Sequence, residues 1–150
     1  MPNTVLDYHS AVRASIGGLK AEKKGGVPFP VKSAKDLMLK LRKALDEHNC
    51  AITVSRAEPY TLPYTEDKNG NNVTNFYVSV ELTFHTPAGT MVFCGLGGGS
   101  STDDKALGKA STYAFKDAVV KGFTLPDDDM VDTDDESIPQ KPKYNFGKKA

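Results

Sequence analysis

The chain has 150 residues, 39% of them hydrophobic, with 19 basic and 19 acidic side chains, which suits one compact core and is too short for two. No apolar run approaches the roughly 18 residues that a membrane-spanning helix needs, nothing at the N-terminus has the order of a secretory signal, and Cys50 and Cys94 form no spaced disulfide framework; a reducing cytoplasm is the expected setting. The net charge of zero hides segments of opposite sign: residues 1–126 carry 15 bases and 12 acids, residues 127–136 carry seven acids and no base, and residues 137–150 carry four bases.

From Asp7 to Leu19, apolar Val12, Ile16 and Leu19 recur at helical steps and predict a first helix, ending at Gly17-Gly18 or in the basic stretch up to Gly26. Gly25 to Pro30 reads as a loop, because glycine is flexible and proline lacks an amide donor. Ser33 and Asp36 form a capping pair for a second helix, whose Ala34, Leu37, Leu41, Ala44, Leu45 and His48 share one side. Its other side, with Lys35, Lys40, Arg42, Lys43, Asp46 and Glu47, reads as a solvated surface.

Cys50 to Arg56 is rich in β-branched residues and predicts a strand. Asn75 to Phe84 predicts a second, with Phe76, Val78, Val80, Leu82 and Phe84 alternating against Tyr77, Ser79, Glu81 and Thr83. Thr90 to Leu96 is the third, joined to the second through a Pro87 and Gly89 turn. Between the first two strands, Glu58 to Thr74 reads as a long polar connection in which Asn69-Gly70 is a turn signal able to close a further hairpin. Gly95 to Gly99 reads as a flexible hinge, and Ser100 to Asp104 as the capping region of a helix from about Asp103 to Lys121 that stops near Gly122 and before Pro126. The last segment, with its acidic run and prolines, has too few apolar residues to order itself and is expected to be a disordered tail, residues 127–150, behind a folded unit of residues 1–126.

On that last helix, at about 100° per residue, Lys105, Lys109, Thr112 and Lys116 fall within roughly 60° of arc, without an acid among them. Ala106, Leu107, Ala110, Ala114, Phe115 and Ala118 make the apolar side. A row of ammonium groups can follow the phosphates of a nucleic-acid strand and release their counterions, giving affinity indifferent to base sequence. Against this stands the ordinary reading of surface lysines as solubilising charge, favoured roughly two to one for a helix taken alone.

The string Asp104-Lys105-Ala106-Leu107-Gly108-Lys109-Ala110-Ser111-Thr112-Tyr113-Ala114-Phe115-Lys116-Asp117-Ala118, followed by Leu125-Pro126-Asp127-Asp128-Asp129, shifts that balance. It resembles the signature of the ERF (essential recombination function) family of phage annealing proteins: a Gly-x-Ala-x-Thr-Tyr-Ala core on a helix, an aliphatic stretch, then an acidic run. The resemblance implies an α+β fold, a curved antiparallel sheet of about three to five strands packed against the signature helix, with N-terminal helices before it. It also implies subunits assembled as a ring or filament, single-stranded DNA held in a basic groove, and ATP-independent annealing of complementary strands in phage homologous recombination. A single-strand-binding protein or a nuclease is a further candidate partner. No catalytic residue, metal or cofactor is expected, and the setting would be the host cytoplasm. The DNA-binding candidates are Lys105, Lys109, Thr112, Tyr113 and Lys116, with Arg56 from the first strand. Family members often carry two bases after the Tyr-Ala pair, whereas here Phe115-Lys116-Asp117 follows, which leaves Lys116 alone with Lys105 and Lys109 to compensate.

Rival readings have less behind them. A glycine-rich loop before a helix suits a nucleotide phosphate, but no Gly-Lys-Ser or Gly-Lys-Thr follows and Asp103 and Asp104 repel the anion. His9, His48 and His85 lie far apart, and neither cysteine has a neighbour at zinc spacing, so Cys50 and Cys94 read as small core residues. The acidic run lacks the ligand periodicity of a calcium loop; it is a solvated tail, or a DNA mimic that folds over the basic groove. Tyr60, Tyr64 and Tyr77 could stack on bases, while Phe76, Phe84, Phe93 and Phe115 read as core. The alternative of a different class is a self-assembling phage scaffold that recruits a host or phage protein through its C-terminal tail.

Overall fold

The computed structural model describes residues 1–17 and 34–126. Helices α1 (Val5–Ile16) and α2 (Ala34–Glu47) precede strands β1 (Ala51–Glu66), β2 (Asn72–Thr86) and β3 (Gly89–Ser101), and helix α3 (Ala106–Gly122) closes the order. The strands form one antiparallel sheet in the order β1-β2-β3, curved and packed against α3, which is the α+β arrangement expected.

Helix α1 starts earlier than its apolar periodicity suggests. The Thr4 hydroxyl accepts the Asp7 amide at 3.1 Å, and the Asp7 carboxylate accepts the Thr4 amide at 2.9 Å, a reciprocal cap that satisfies two donors at the helix start. Backbone amides of Asn3 and then Thr4, donating to it, hold the Asp7 carboxyl below the usual range. Val12 and Ile16 are buried as expected, and Gly17, at φ 66°, ends the helix in a conformation that suits glycine. Leu19 and the loop from Gly25 to Pro30 lie outside the described residues, as do Ser33 and the tail. On α2, Leu37, Leu41 and Ala44 are buried and Lys35, Arg42, Lys43, Asp46 and Glu47 are exposed, so its apolar and solvated sides fall where the helical spacing puts them.

The first hairpin is longer than the sequence pattern indicates. Residues 58–74 are not a polar loop: β1 runs to Glu66 and β2 begins at Asn72, with Tyr60 opposite Tyr77, Thr61 opposite Phe76 and Leu62 opposite Asn75. Pro59 and Pro63 argue against a central strand, but β1 is an edge strand, where a missing donor breaks no ladder on the open side. Asn69-Gly70 does close this hairpin, with Gly70 at φ 76° and the Asp67 carboxylate accepting the Asn69 and Asn71 amides at 2.8 and 2.9 Å.

The glycine run is the larger correction. Residues 95–99 are the middle of β3, paired to β2 from Val80 to Phe76, and not a hinge. Gly95, Gly97 and Gly99 point toward α3. A Cβ on Gly95 would stand 2.7 Å from the Ala118 Cβ, and one on Gly97 or Gly99 would collide with the backbone around Ala114 or Ala110. The small residues answer one another: Ala106, Ala110, Ala114 and Ala118 are buried on α3, and the glycines opposite let helix and strand backbones meet.

The core runs between the sheet and the three helices, and its aromatic side chains gather toward the end of α3. Phe84, Phe93 and Phe123 pack with ring centroids 4.9 to 5.7 Å apart. His9 joins them, its centroid 5.0 Å from that of Phe123, and its Nε2 donates to the Gly122 carbonyl at 2.6 Å. Phe76 and Phe115 are half-buried against this core.

Candidate nucleic-acid interface

Helix α3 begins at Ala106, a little later than expected, because Asp103 first closes a turn: its carboxylate accepts the Lys105 amide at 3.0 Å and the Ser101 hydroxyl. The same bonds, that from Ser101 foremost, hold the Asp103 carboxyl below the usual range. Lys105 occupies the N-cap position without a side-chain acceptor, and its ammonium lies 3.6 Å from Asp103. At that distance and exposure the pair contributes little.

Five of the six sequence-derived DNA-binding candidates meet in one open cleft. Lys105, Lys109, Thr112, Tyr113 and Lys116 line it together with Asp104, Gly108 and Ala34, the first residue of α2, around a volume of about 520 Å³. Lys109 reaches back so that its Nζ donates to the Ser100 carbonyl at 3.3 Å, which tethers the first turn of α3 to the end of β3. The Thr112 hydroxyl donates to the Gly108 carbonyl at 3.0 Å within the helix. Tyr113 leaves 55% of its surface open, and Lys116 is half-buried where the cleft meets a neighbouring hollow of about 320 Å³ between α2 and α3, lined in part by Leu37, Met38 and Phe115. The three lysines therefore line one cleft, from exposed Lys105 and Lys109 to half-buried Lys116.

Leu107, assigned to the apolar side from the wheel alone, is 41% exposed, whereas Ala106 and Ala110 on that side are buried against the sheet.

Asp117 has a structural task. Its Oδ2 accepts the Leu96 amide at 2.9 Å on the free edge of β3, and it pairs with Lys121 at 3.0 Å one turn along. A carboxylate is what an unpaired edge amide asks for. A base at this position would leave that amide without its acceptor.

Arg56 lies apart from the cleft, on the sheet face turned away from α3. Its guanidinium donates to Glu58 through Nε at 2.7 Å and through one Nη. Cys94, taken from its apolar strand as a core residue, is exposed on that same face, since it stands opposite Glu81 in the alternation that also exposes Val92 and Leu96. Cys50 is half-buried before β1, and burial pushes its thiol up. His48 and His85 are tied to Ser15 and Thr53 at 2.8 Å each. Among the described residues, no group of three or more acids, histidines and cysteines is placed to hold a metal ion, and no helix is long and apolar enough to cross a membrane.

The sequence pattern of the ERF superfamily matches residues 9–149, from α1 through the signature helix and beyond. The chain belongs to the ERF superfamily. Membership supports single-strand annealing in phage recombination as its general field of activity. No curated protein matches the chain.

Proposed function

We propose that this ERF-superfamily chain binds single-stranded DNA and anneals complementary strands without ATP, gripping the sugar-phosphate backbone along α3. The observation that carries the reading is the convergence of Lys105, Lys109, Thr112, Tyr113 and Lys116 on one open cleft beside α2. Ammonium groups on an exposed wall attract a phosphate chain whatever its bases, as an annealing protein must before pairing is tested. Thr112 and Tyr113 border the row and position the strand against it. The half-buried Lys116 holds its charge at the deeper end, and Lys105 and Lys109 do the work that a second base beside it would share. No step makes or breaks a covalent bond.

In this reading residues 1–126 are the binding and self-assembly unit, and copies line up as a ring or filament so that successive clefts follow one strand. Residues 127–150, acidic and then basic, serve as a separate tail. Deleting them would raise affinity if they compete with DNA for the cleft, and would abolish recruitment if the chain is instead a scaffold for another protein.

Mixing the protein with two complementary labelled oligonucleotides, in the absence of ATP, is expected to speed duplex formation. Lys105→Ala combined with Lys109→Ala is expected to abolish that gain while leaving the assembly intact by mass. Unaltered annealing in the double variant would remove the cleft from the account.

A further inference from the structure

On the sheet face away from α3, the backbone of β1 departs from regular pairing between Val54 and Arg56: Val54 lies opposite Leu82, and Arg56 opposite Glu81. Two residues on β1 thus advance against one on β2, a bulge. Without it Arg56 would oppose Val80 and point to the α3 side; with it, the guanidinium lies on the open face. The extra residue, Ser55, donates to the Glu81 carbonyl at 3.0 Å and accepts from the Thr83 hydroxyl at 3.0 Å, so the bulge is held by side chains.

Beside the bulge lies a depression of about 190 Å³ lined by Arg56, Glu58, Ser79, Val80, Glu81 and Cys94. Two tyrosines adjoin it. Tyr60 and Tyr77 are direct cross-strand partners, 51% and 48% exposed. The ring of Tyr77 extends over Gly98 on the next strand, where an added Cβ would stand 3.3 Å from its Cε1. Gly98 faces away from α3, so this glycine has a different reason from its neighbours: it gives the ring a flat bed of backbone. Tyr60 is oriented by its hydroxyl, which donates to Glu58 Oε2 at 2.9 Å, while Arg56 takes Oε1. Hydrogen bonds from Tyr60 and then Arg56 hold the Glu58 carboxyl below the usual range, so the pair stays ionised at neutral pH.

We propose that this face is a second single-strand site, directed at bases where the α3 cleft is directed at phosphates, with Tyr60 and Tyr77 as the stacking surface and Arg56, Glu58 and Glu81 as partners for base edges. The inference rests on the single-strand reading above. Charge selects which part of a nucleotide enters: one guanidinium among two carboxylates repels phosphate and suits the exocyclic amino donors of adenine, cytosine and guanine. Glu58 takes two of the five guanidinium N–H donors, and the others suit base acceptors. Aromatic faces stack on any base. The two sites lie on opposite sides of the sheet, so one subunit can hold two stretches of strand at once, one by its backbone and one with its bases presented.

The chain contains no tryptophan, so Tyr77→Trp installs a single fluorescent reporter on the platform. Oligo(dC) is expected to quench it, whereas an abasic strand of equal length is expected to bind through its phosphates without quenching. In parallel, Tyr60→Ala with Tyr77→Ala is expected to weaken oligo(dC) binding roughly tenfold with no change in its salt dependence, and Tyr60→Phe with Tyr77→Phe to retain affinity. Equal quenching by the abasic strand overturns the proposal. So does unchanged affinity in the double alanine variant while the lysine variant still loses binding; in that case the α3 reading survives alone. If the unsubstituted protein binds no strand of either kind, both readings fall.

Discussion

On one side of the sheet, Gly95, Gly97 and Gly99 allow α3 to come down to backbone contact; on the other, Tyr60, Tyr77, Val92 and Leu96 stand with about half or more of their surfaces open. Both patterns come from the same strands, read in alternate residues. The closed side is built from the smallest side chains because its purpose is close approach. It carries its charge on the back of the helix it holds. The open side is built from large flat ones around a small set of paired charges. The difference separates what orders the fold from what is free to meet a ligand, and it predicts that substitutions on the two sides fail in different ways.

The largest effect is expected at Gly97. Gly97→Ala would thrust a methyl group into the α3 backbone at Ala114, with a cost of about 3 kcal/mol, the upper end for overpacking, seen as a lower urea midpoint. Tyr77→Ala on the opposite side should cost only about 1 kcal/mol, mainly the cross-strand contact with Tyr60. Comparable losses at the two positions would mean that the open side is itself packed against something, and the contrast would be gone.

An intermediate effect is expected at Asp117, which joins α3 to the edge of β3. Asp117→Ala should cost about 1 kcal/mol through the unpaired Leu96 amide, and Asp117→Lys should cost at least as much. A lysine there that left stability intact and strengthened DNA binding would show that the position is a vacant DNA contact rather than a structural acceptor. The smallest perturbation is chemical. A thiol reagent should label exposed Cys94 ahead of half-buried Cys50, whose thiol burial pushes up, and bound oligo(dC) should slow labelling of Cys94 alone. Protection of both cysteines, or of neither, would dissociate the pocket from the open side.

Much of this arrangement is legible before the structure. The alternation from Phe76 to Phe84, the spacing of Leu37, Leu41 and Ala44, and the lysine row on α3 each follow from periodicity, and the cleft assembles the residues that row proposes. What periodicity does not carry is the reason for small residues. Gly95, Gly97 and Gly99 look like a hinge because flexibility is the commonest use of glycine; only their period of two, continuing that of Phe93, points to a strand pressed against another backbone. The long hairpin is masked in a similar way, since Pro59 and Pro63 are disqualifying in a central strand and harmless on an edge. The side chain of Arg56 depends on a one-residue bulge, and a register shift of that kind leaves no mark in composition. Asp117 reads as a missing base until the Leu96 amide is seen beside it.

The claim at the centre of the account is that the α3 lysine row holds phosphates, and the slope of log affinity against log salt tests it most directly. Each phosphate contact on a single strand contributes about −0.7 to that slope, so Lys105→Ala with Lys109→Ala should make it shallower by about 1.4, with Tyr60→Ala and Tyr77→Ala leaving it unchanged. A lysine double variant that binds single-stranded DNA with the original slope would contradict the account.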